Sequence, residues 1–247
     1  MSNEGCPHAD WASRLPTEQP VSRPDRRQPR GFAGLAWASF NRKRGRWIMV
    51  TTAVMAGVIA LGGLLDAPEE LHVAPTGDDS NPGTDKRPLA TLAAAVQRAK
   101  PGNTVVVHAG TYRVDELLRL DQENVRIVGA GNPPPVIEHG DYEGKLFDVI
   151  APGVEFKNLV LDGRFAEKTR AIKGGREAHR LIVRQCEIKN FTRHAVDIDG
   201  ADCVVENCHI HHILWWNEGQ RDDAHGIVCM FATNLLVRNC NIHNVSG

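Results

Sequence analysis

From Val154 onward, apolar and polar residues alternate in short runs that pause at an amide residue and then resume. Val154 and Phe156 precede Asn158, and Leu159 and Leu161 follow it. The same phrase returns around Gln185, Asn207 and Asn239, beginning at Leu181, Cys203 and Leu235. A period of two places successive side chains on opposite faces, which is the signature of a strand. The four runs start 27, 22 and 32 residues apart, a recurrence with a floor near 22 and insertions of variable length. Such self-similarity without helical phase predicts a solenoid of stacked parallel coils.

The amide position narrows the kind of solenoid. If successive coils stack at roughly 4.8 Å, Asn158, Gln185, Asn207 and Asn239 form a column at a bend, where peptide groups turned out of the sheets need partners. These residues resemble the right-handed parallel β-helix of the pectate-lyase-like superfamily, whose coils carry an asparagine ladder between their second and third strands. The resemblance implies an all-β solenoid and places the first strand of each coil ahead of the phrase, at 146–149, 171–173, 195–199 and 226–230.

The N-terminal part of the chain follows other rules. Residues 1–46 hold nine Lys and Arg against four acids, with many prolines and no sustained periodicity, as expected of a disordered basic tail. Residues 47–65 contain no charge and are bounded by Arg46 and Asp66. As a helix they would cross a hydrocarbon core of about 30 Å. The basic cluster Arg42, Lys43, Arg44 and Arg46 precedes them, while Asp66, Glu69 and Glu70 follow. This asymmetry predicts a cytoplasmic tail, a signal-anchor and a solenoid outside the cytoplasm. It also explains the basic flank without a nucleic-acid partner. A cleaved export signal, with Ala60 and Gly62 at the cleavage region, is the alternative.

Residues 66–102 read as a linker and a cap. Thr91 is placed to cap a short helix with Leu92, Ala95, Val96 and Ala99 on one face, stopped by Pro101-Gly102. A capped helix here would cover the open end of the solenoid, and coils are expected over 103–247. The block resembles the N-terminal cap of exported β-helix proteins, including family-nine-type polysaccharide lyases. The Asp78-Asp79 pair has a calcium-loop composition, but beside Gly77, Asn81, Pro82 and Gly83 it reads as turn chemistry. Cys186, Cys208 and Cys240 recur at the inward position held by Leu159, and Cys203 and Cys229 also alternate inward. Buried thiols are expected, since no Cys-x-x-Cys pair is present.

Candidate chemistry falls on outward positions of the first strands and on the loops entering them. Asp148, Lys173, Asp197 and Val228 align as one outward column, with Asp199 two residues beyond Asp197. The entering loops bring Arg170, then Arg193 and His194, then the insertion that holds Trp215, Trp216, Arg221, Asp222, Asp223 and His225. Indole faces suit sugar rings, and cations suit uronate carboxylates. These residues predict a groove for an acidic polysaccharide, with Trp215, Trp216, Arg193, His194 and Arg170 binding substrate.

β-Elimination needs charge neutralisation at the substrate carboxylate and a base near the working pH. His225 fits the base, with Lys173 or Arg221 as charge stabiliser or alternative base. Asp197, Asp199, Asp222 and Asp223 are the candidate ligands for Ca2+. Resemblance to family-nine lyases implies a lysine base with aspartate-held calcium, and Lys173 and Asp197 are the nearest equivalents by type. Asp197, Asp222 and Asp223 could instead imitate the three aspartates of polygalacturonase-like hydrolases. Asp222-Asp-Ala-His225 partly matches the Asp-Pro-His-Asp stretch of alginate epimerases.

The residues thus point to a calcium-assisted lyase or epimerase, with a non-catalytic glycan-binding or adhesion module as the alternative. On the third strands, His211 and His243 with Lys189 beneath read as a surface ladder rather than a zinc site, no carboxylate of suitable spacing joining them in the sequence. The final Val245-Ser-Gly falls where another first strand would begin, so further coils are expected beyond it.

Overall fold

A computed structural model describes residues 70–215 and 223–246. The expected tail and membrane segment lie outside these residues, as do Trp216, Arg221 and Asp222. Among the described residues, no helix is long and apolar enough to cross a membrane.

The chain enters through β1 (Glu70–Val73), a helix α1 (Leu92–Arg98), β2 (Thr104–Val107) and β3 (Thr111–Val114). Five three-strand coils follow. They are β4 (Leu118–Leu120), β5 (Arg126–Gly129) and β6 (Val136–His139); β7 (Gly144–Val149), β8 (Glu155–Lys157) and β9 (Val160–Asp162); β10 (Thr169–Gly174), β11 (Ile182–Arg184) and β12 (Glu187–Lys189); β13 (His194–Ile198), β14 (Val204–Glu206) and β15 (His209–Leu214); and β16 (His225–Val228), β17 (Leu236–Arg238) and β18 (Asn241–Ser246).

Each strand pairs in parallel with its counterpart one coil away, giving three sheets. The first holds β4, β7, β10, β13 and β16; the second β1, β2, β5, β8, β11, β14 and β17; the third β3, β6, β9, β12, β15 and β18. This is a parallel β-helix, with first strands where the resemblance implied them. β1 is an addition: Leu71-His72-Val73, assigned to the cap, extends the second sheet by pairing with β2.

The cap helix forms as its residues dictate. Thr91 Oγ1 accepts the Ala94 N–H at 3.1 Å, and Leu92, Ala95 and Ala99 are buried against the core. Asp79 serves the same turn, accepting the Ala90 and Thr91 N–H groups, both at 2.9 Å, so turn chemistry accounts for it.

The bends rest on residues that tolerate left-handed backbone. Asn158, Gln185, Asn207 and Asn239 have φ of 55°, 54°, 53° and 53°. Each directly follows one of the residues Lys157, Arg184, Glu206 and Arg238, which are paired in register. The amides therefore line up, as the alternation predicted. Asn158 Nδ2 donates to the Gly129 carbonyl of the preceding coil at 2.8 Å, so this amide spends its hydrogen on backbone.

Inward positions fill the core with aliphatic side chains and with Phe147, Phe156 and Phe191. Cys186, Cys203 and Cys208 are buried free thiols, and Cys240 is half-buried. Cys229 corrects the expectation: it is exposed. Its strand ends at Val228, so alternation no longer dictates where the next side chain points.

Candidate active site

The first sheet brings distant residues into two vertical columns on its outward face. Arg119, Asp148, Lys173, Asp197 and Val228 occupy one register position on β4, β7, β10, β13 and β16. Lys145, Arg170, His194 and His225 occupy another. The columns stand three residues apart on each strand, and they share a face because two consecutive inward residues intervene, Leu146-Phe147, Ala171-Ile172 and Ala195-Val196, while the coil repeat keeps them in step.

In the first column charges alternate in sign. Lys145 Nζ donates to Asp148 Oδ1 at 2.8 Å. Lys173 Nζ donates to Asp197 Oδ1 at 2.8 Å and to Asp199 Oδ2 at 2.7 Å. The Asp197 and Asp199 side chains are only 9% and 11% exposed, and Lys173 22%. Burial opposes the lysine charge, but the two carboxylates outweigh it and hold the ammonium above its usual range. Burial likewise opposes ionisation of Asp199, and the Lys173 hydrogen bond outweighs it, keeping the carboxyl low.

This pairing tests the expected calcium site. Calcium takes six to eight oxygens at about 2.3–2.6 Å, whereas the Asp197 and Asp199 carboxylates are already balanced by one ammonium. As arranged, these described residues do not form a calcium cage. Asp223 is exposed at the entry to β16.

The second column ends in two imidazoles. The His194 and His225 rings lie 5.2 Å apart at 46°, and the Nδ1 of each is buried without a hydrogen-bond partner. Burial, reinforced by Arg170, pushes His194 down to about 4, so it is neutral at pH 7. The Arg193 guanidinium carbon lies 5.9 Å from the Trp215 ring. Trp215 packs partly against the core, and its backbone N–H donates to Ser246 Oγ at 2.9 Å. It therefore closes the corner between the third and first sheets as well as flanking the groove.

Two features escaped the sequence. At the far end of the strands the Arg176 guanidinium sits 4.0 Å over the half-exposed Phe231 ring, beside the backbone that reaches Asp199. An exposed aromatic just after a first strand was the available signal. At the lower end, a cavity of about 810 Å³ between α1 and β4 is lined by residues that include Asp79, Gln97, Arg119 and Gln122. It takes the foot of the first column into a polar recess.

The comparisons with known proteins agree with this architecture. The model of the right handed beta helix region matches residues 154–247, and a protein of unknown function (DUF1565) model matches residues 75–127. The uncharacterized protein YwoF of Bacillus subtilis (strain 168) is 36% identical over 131 residues, covering 45% of this chain and 27% of that protein. Pectate lyase L of Paenibacillus polymyxa (strain SC2) is 28% identical over 150 residues, covering 58% of this chain and 28% of the relative. The chain thus spans just over a quarter of these curated relatives. A solved rhamnogalacturonan lyase shares the fold at 15% identity and a TM-score of 0.50, covering 72% of this chain and 60% of that one.

Proposed function

We propose that this chain, a right-handed parallel β-helix of pectate-lyase-like type, contributes the groove of a carbohydrate-active protein that performs β-elimination or epimerisation on an acidic polysaccharide. The observation that carries this is the pair of parallel columns, one ending at His194 and His225 and the other holding Lys173 between Asp197 and Asp199. The names of the pectate lyase and rhamnogalacturonan lyase relatives support the class of substrate.

In this reading Arg170 and Arg193 neutralise a substrate carboxylate, which acidifies the proton on the adjacent carbon. His225 takes that proton. In elimination the electron pair forms a carbon–carbon double bond as the neighbouring glycosidic C–O bond breaks and the leaving oxygen gains a proton. In epimerisation the carbanion regains a proton from the opposite face. Lys173 acts as a fixed positive charge rather than as the base, because its carboxylate partners keep it protonated. With residues 47–65 as anchor or cleaved signal, the groove faces the outside of the cell.

The test is incubation with pectate, alginate and glycosaminoglycans, with and without calcium, following the ultraviolet absorption of unsaturated uronates and, for epimerisation, solvent-deuterium incorporation. Product or exchange that disappears in His225→Ala supports the reading. Glycan binding without product or exchange would instead identify a non-catalytic module, and calcium dependence would place ligands such as Asp222 and Asp223 in the site.

A further inference from the structure

Away from the groove, the outward face of the third sheet gathers imidazoles from neighbouring coils. Glu187 on β12 is in register with His209 on β15, and Lys189 with His211 on β15 and His243 on β18. The side chains lean diagonally across that register. His211 Nε2 lies 3.2 Å from Glu187 Oε1, and His209 Nε2 lies 2.9 Å from His243 Nε2. Glu187, His209 and His211 each place one ligand atom within 4.8 Å of the other two. The carboxylate that the sequence spacing did not supply comes from Glu187, which precedes Lys189 on the strand one coil below the histidines.

We propose that Glu187, His209 and His211 bind one divalent ion of the zinc class and thereby pin two successive coils together, with His243 against His209 from the coil above. Ligand atoms bound at about 2.0–2.1 Å to a tetrahedral ion stand about 3.3 Å from one another. The His211 to Glu187 separation of 3.2 Å is already near that value. The His209 and His243 nitrogens, 2.9 Å apart, need a proton between them, or a cation that takes both lone pairs. Two imidazole nitrogens with one carboxylate suit zinc, nickel or copper and do not suit calcium, which takes oxygen ligands. Three protein ligands leave a fourth position for water or for a His243 that swings in.

The surroundings support the assignment and supply its test. His211 Nδ1 lies 2.6 Å from His212 Nδ1, and His212 Nε2 lies 3.2 Å from Asn244 Nδ2. With the ion on Nε2, His211 keeps its proton on Nδ1 and donates it to His212. His212 then carries its proton on Nε2, and the Asn244 amide turns its oxygen to accept it, with no proton gained or lost. Such a partner fixes the orientation of a ligating imidazole. Opposing the ion, Lys189 Nζ sits 2.9 Å from the same Glu187 oxygen.

The experiment titrates the full chain, free of any polyhistidine tag, with Co2+ and then Zn2+ in chelator-free buffer. It reads the visible spectrum of tetrahedral cobalt and its displacement by zinc. A second group, His72, Asp85 and His108, also brings three ligand atoms within 4.8 Å of one another, so variants assign the signal. His209→Ala and His211→Ala are expected to weaken binding at least about tenfold, while Asp85→Ala leaves the tetrahedral spectrum unchanged. Lys189→Met is expected to bind zinc about two- to fivefold tighter, because it removes one exposed competing charge, a gain that misfolding cannot imitate. A wild-type chain without a tetrahedral cobalt spectrum overturns the proposal. So do full affinity in both histidine variants, loss of the signal in Asp85→Ala, and a Lys189→Met chain that binds no tighter.

Discussion

The Lys173 ammonium lies 2.8 Å from the Asp197 carboxylate on the next coil, a pair separated by 24 residues in the chain and joined by a one-coil step in space. The Asp197 side chain is 9% exposed, so little water stands ready to replace this partner. Removing the lysine alone strands a carboxylate in a poorly hydrated position. Lys173→Met is expected to cost about 2–3 kcal/mol, somewhat less than a fully buried pair because the lysine reaches solvent. Urea unfolding of Lys173→Met, Asp197→Asn and the double variant measures this. Strictly additive losses would show that the two side chains are not coupled.

His225 tests the chemistry separately from the scaffold. Replacement by Ala is expected to lower the turnover of the proposed reaction by about 10²–10⁴-fold, the usual contribution of general base catalysis. Glycan affinity and the far-ultraviolet circular dichroism spectrum should hold. Equal turnover in His225→Ala would remove it from the base role.

Acid should loosen the groove through His194. Its imidazole is pushed down to about 4 by burial and by Arg170, with Arg193 and His225 adding to the effect and Asp197 opposing it. The folded state therefore binds the proton less readily than the unfolded chain, whose histidine titrates near 6.5. Stability from this group is complete above about pH 6.5 and falls as pH drops toward about 4. Thermal unfolding across that window should show a smaller slope in His194→Gln. An unchanged slope would mean that other groups set the acid response.

The amide corner separates backbone strain from hydrogen bonding. Asn158 holds φ of 55° and donates to the Gly129 carbonyl. Asn158→Gly keeps the left-handed backbone accessible and loses the bond, at about 1 kcal/mol for the bond itself. Asn158→Ala also takes on the left-handed penalty, about 1–2 kcal/mol more. Chemical unfolding of the two variants gives the difference, and equal stability would assign the asparagine to its side-chain bond alone.

The second sheet offers a further check on charge across coils. Glu155 accepts from Arg126 Nε at 2.9 Å on one side and from Arg184 Nε at 2.6 Å on the other, with the Arg184 terminal nitrogen also on the carboxylate. Its side chain is 7% exposed and bridges the strands on either side. Glu155→Gln should cost about 1.5–3 kcal/mol, the range for hydrogen bonds to a charged group. Urea unfolding reads the loss, and a change within error would show that the arginines find water equally well.

Much of the architecture was written in local terms. Alternation around Asn158, Gln185, Asn207 and Asn239 located the strands and bends, and Thr91 with its apolar stripe located the cap helix, because period, capping and left-handed tolerance are properties of neighbouring residues. The order Asp148, Lys173, Asp197 and Val228 followed as well, since a solenoid converts sequence spacing into height. Only the tertiary structure decided what these side chains do there. It put one ammonium between Asp197 and Asp199, turned Trp215 partly into the core, and leaned Glu187 across the register to reach His211. Register fixes Cα neighbours, whereas long side chains choose partners by rotamer and by the burial of their charges, and those choices depend on three adjacent coils at once.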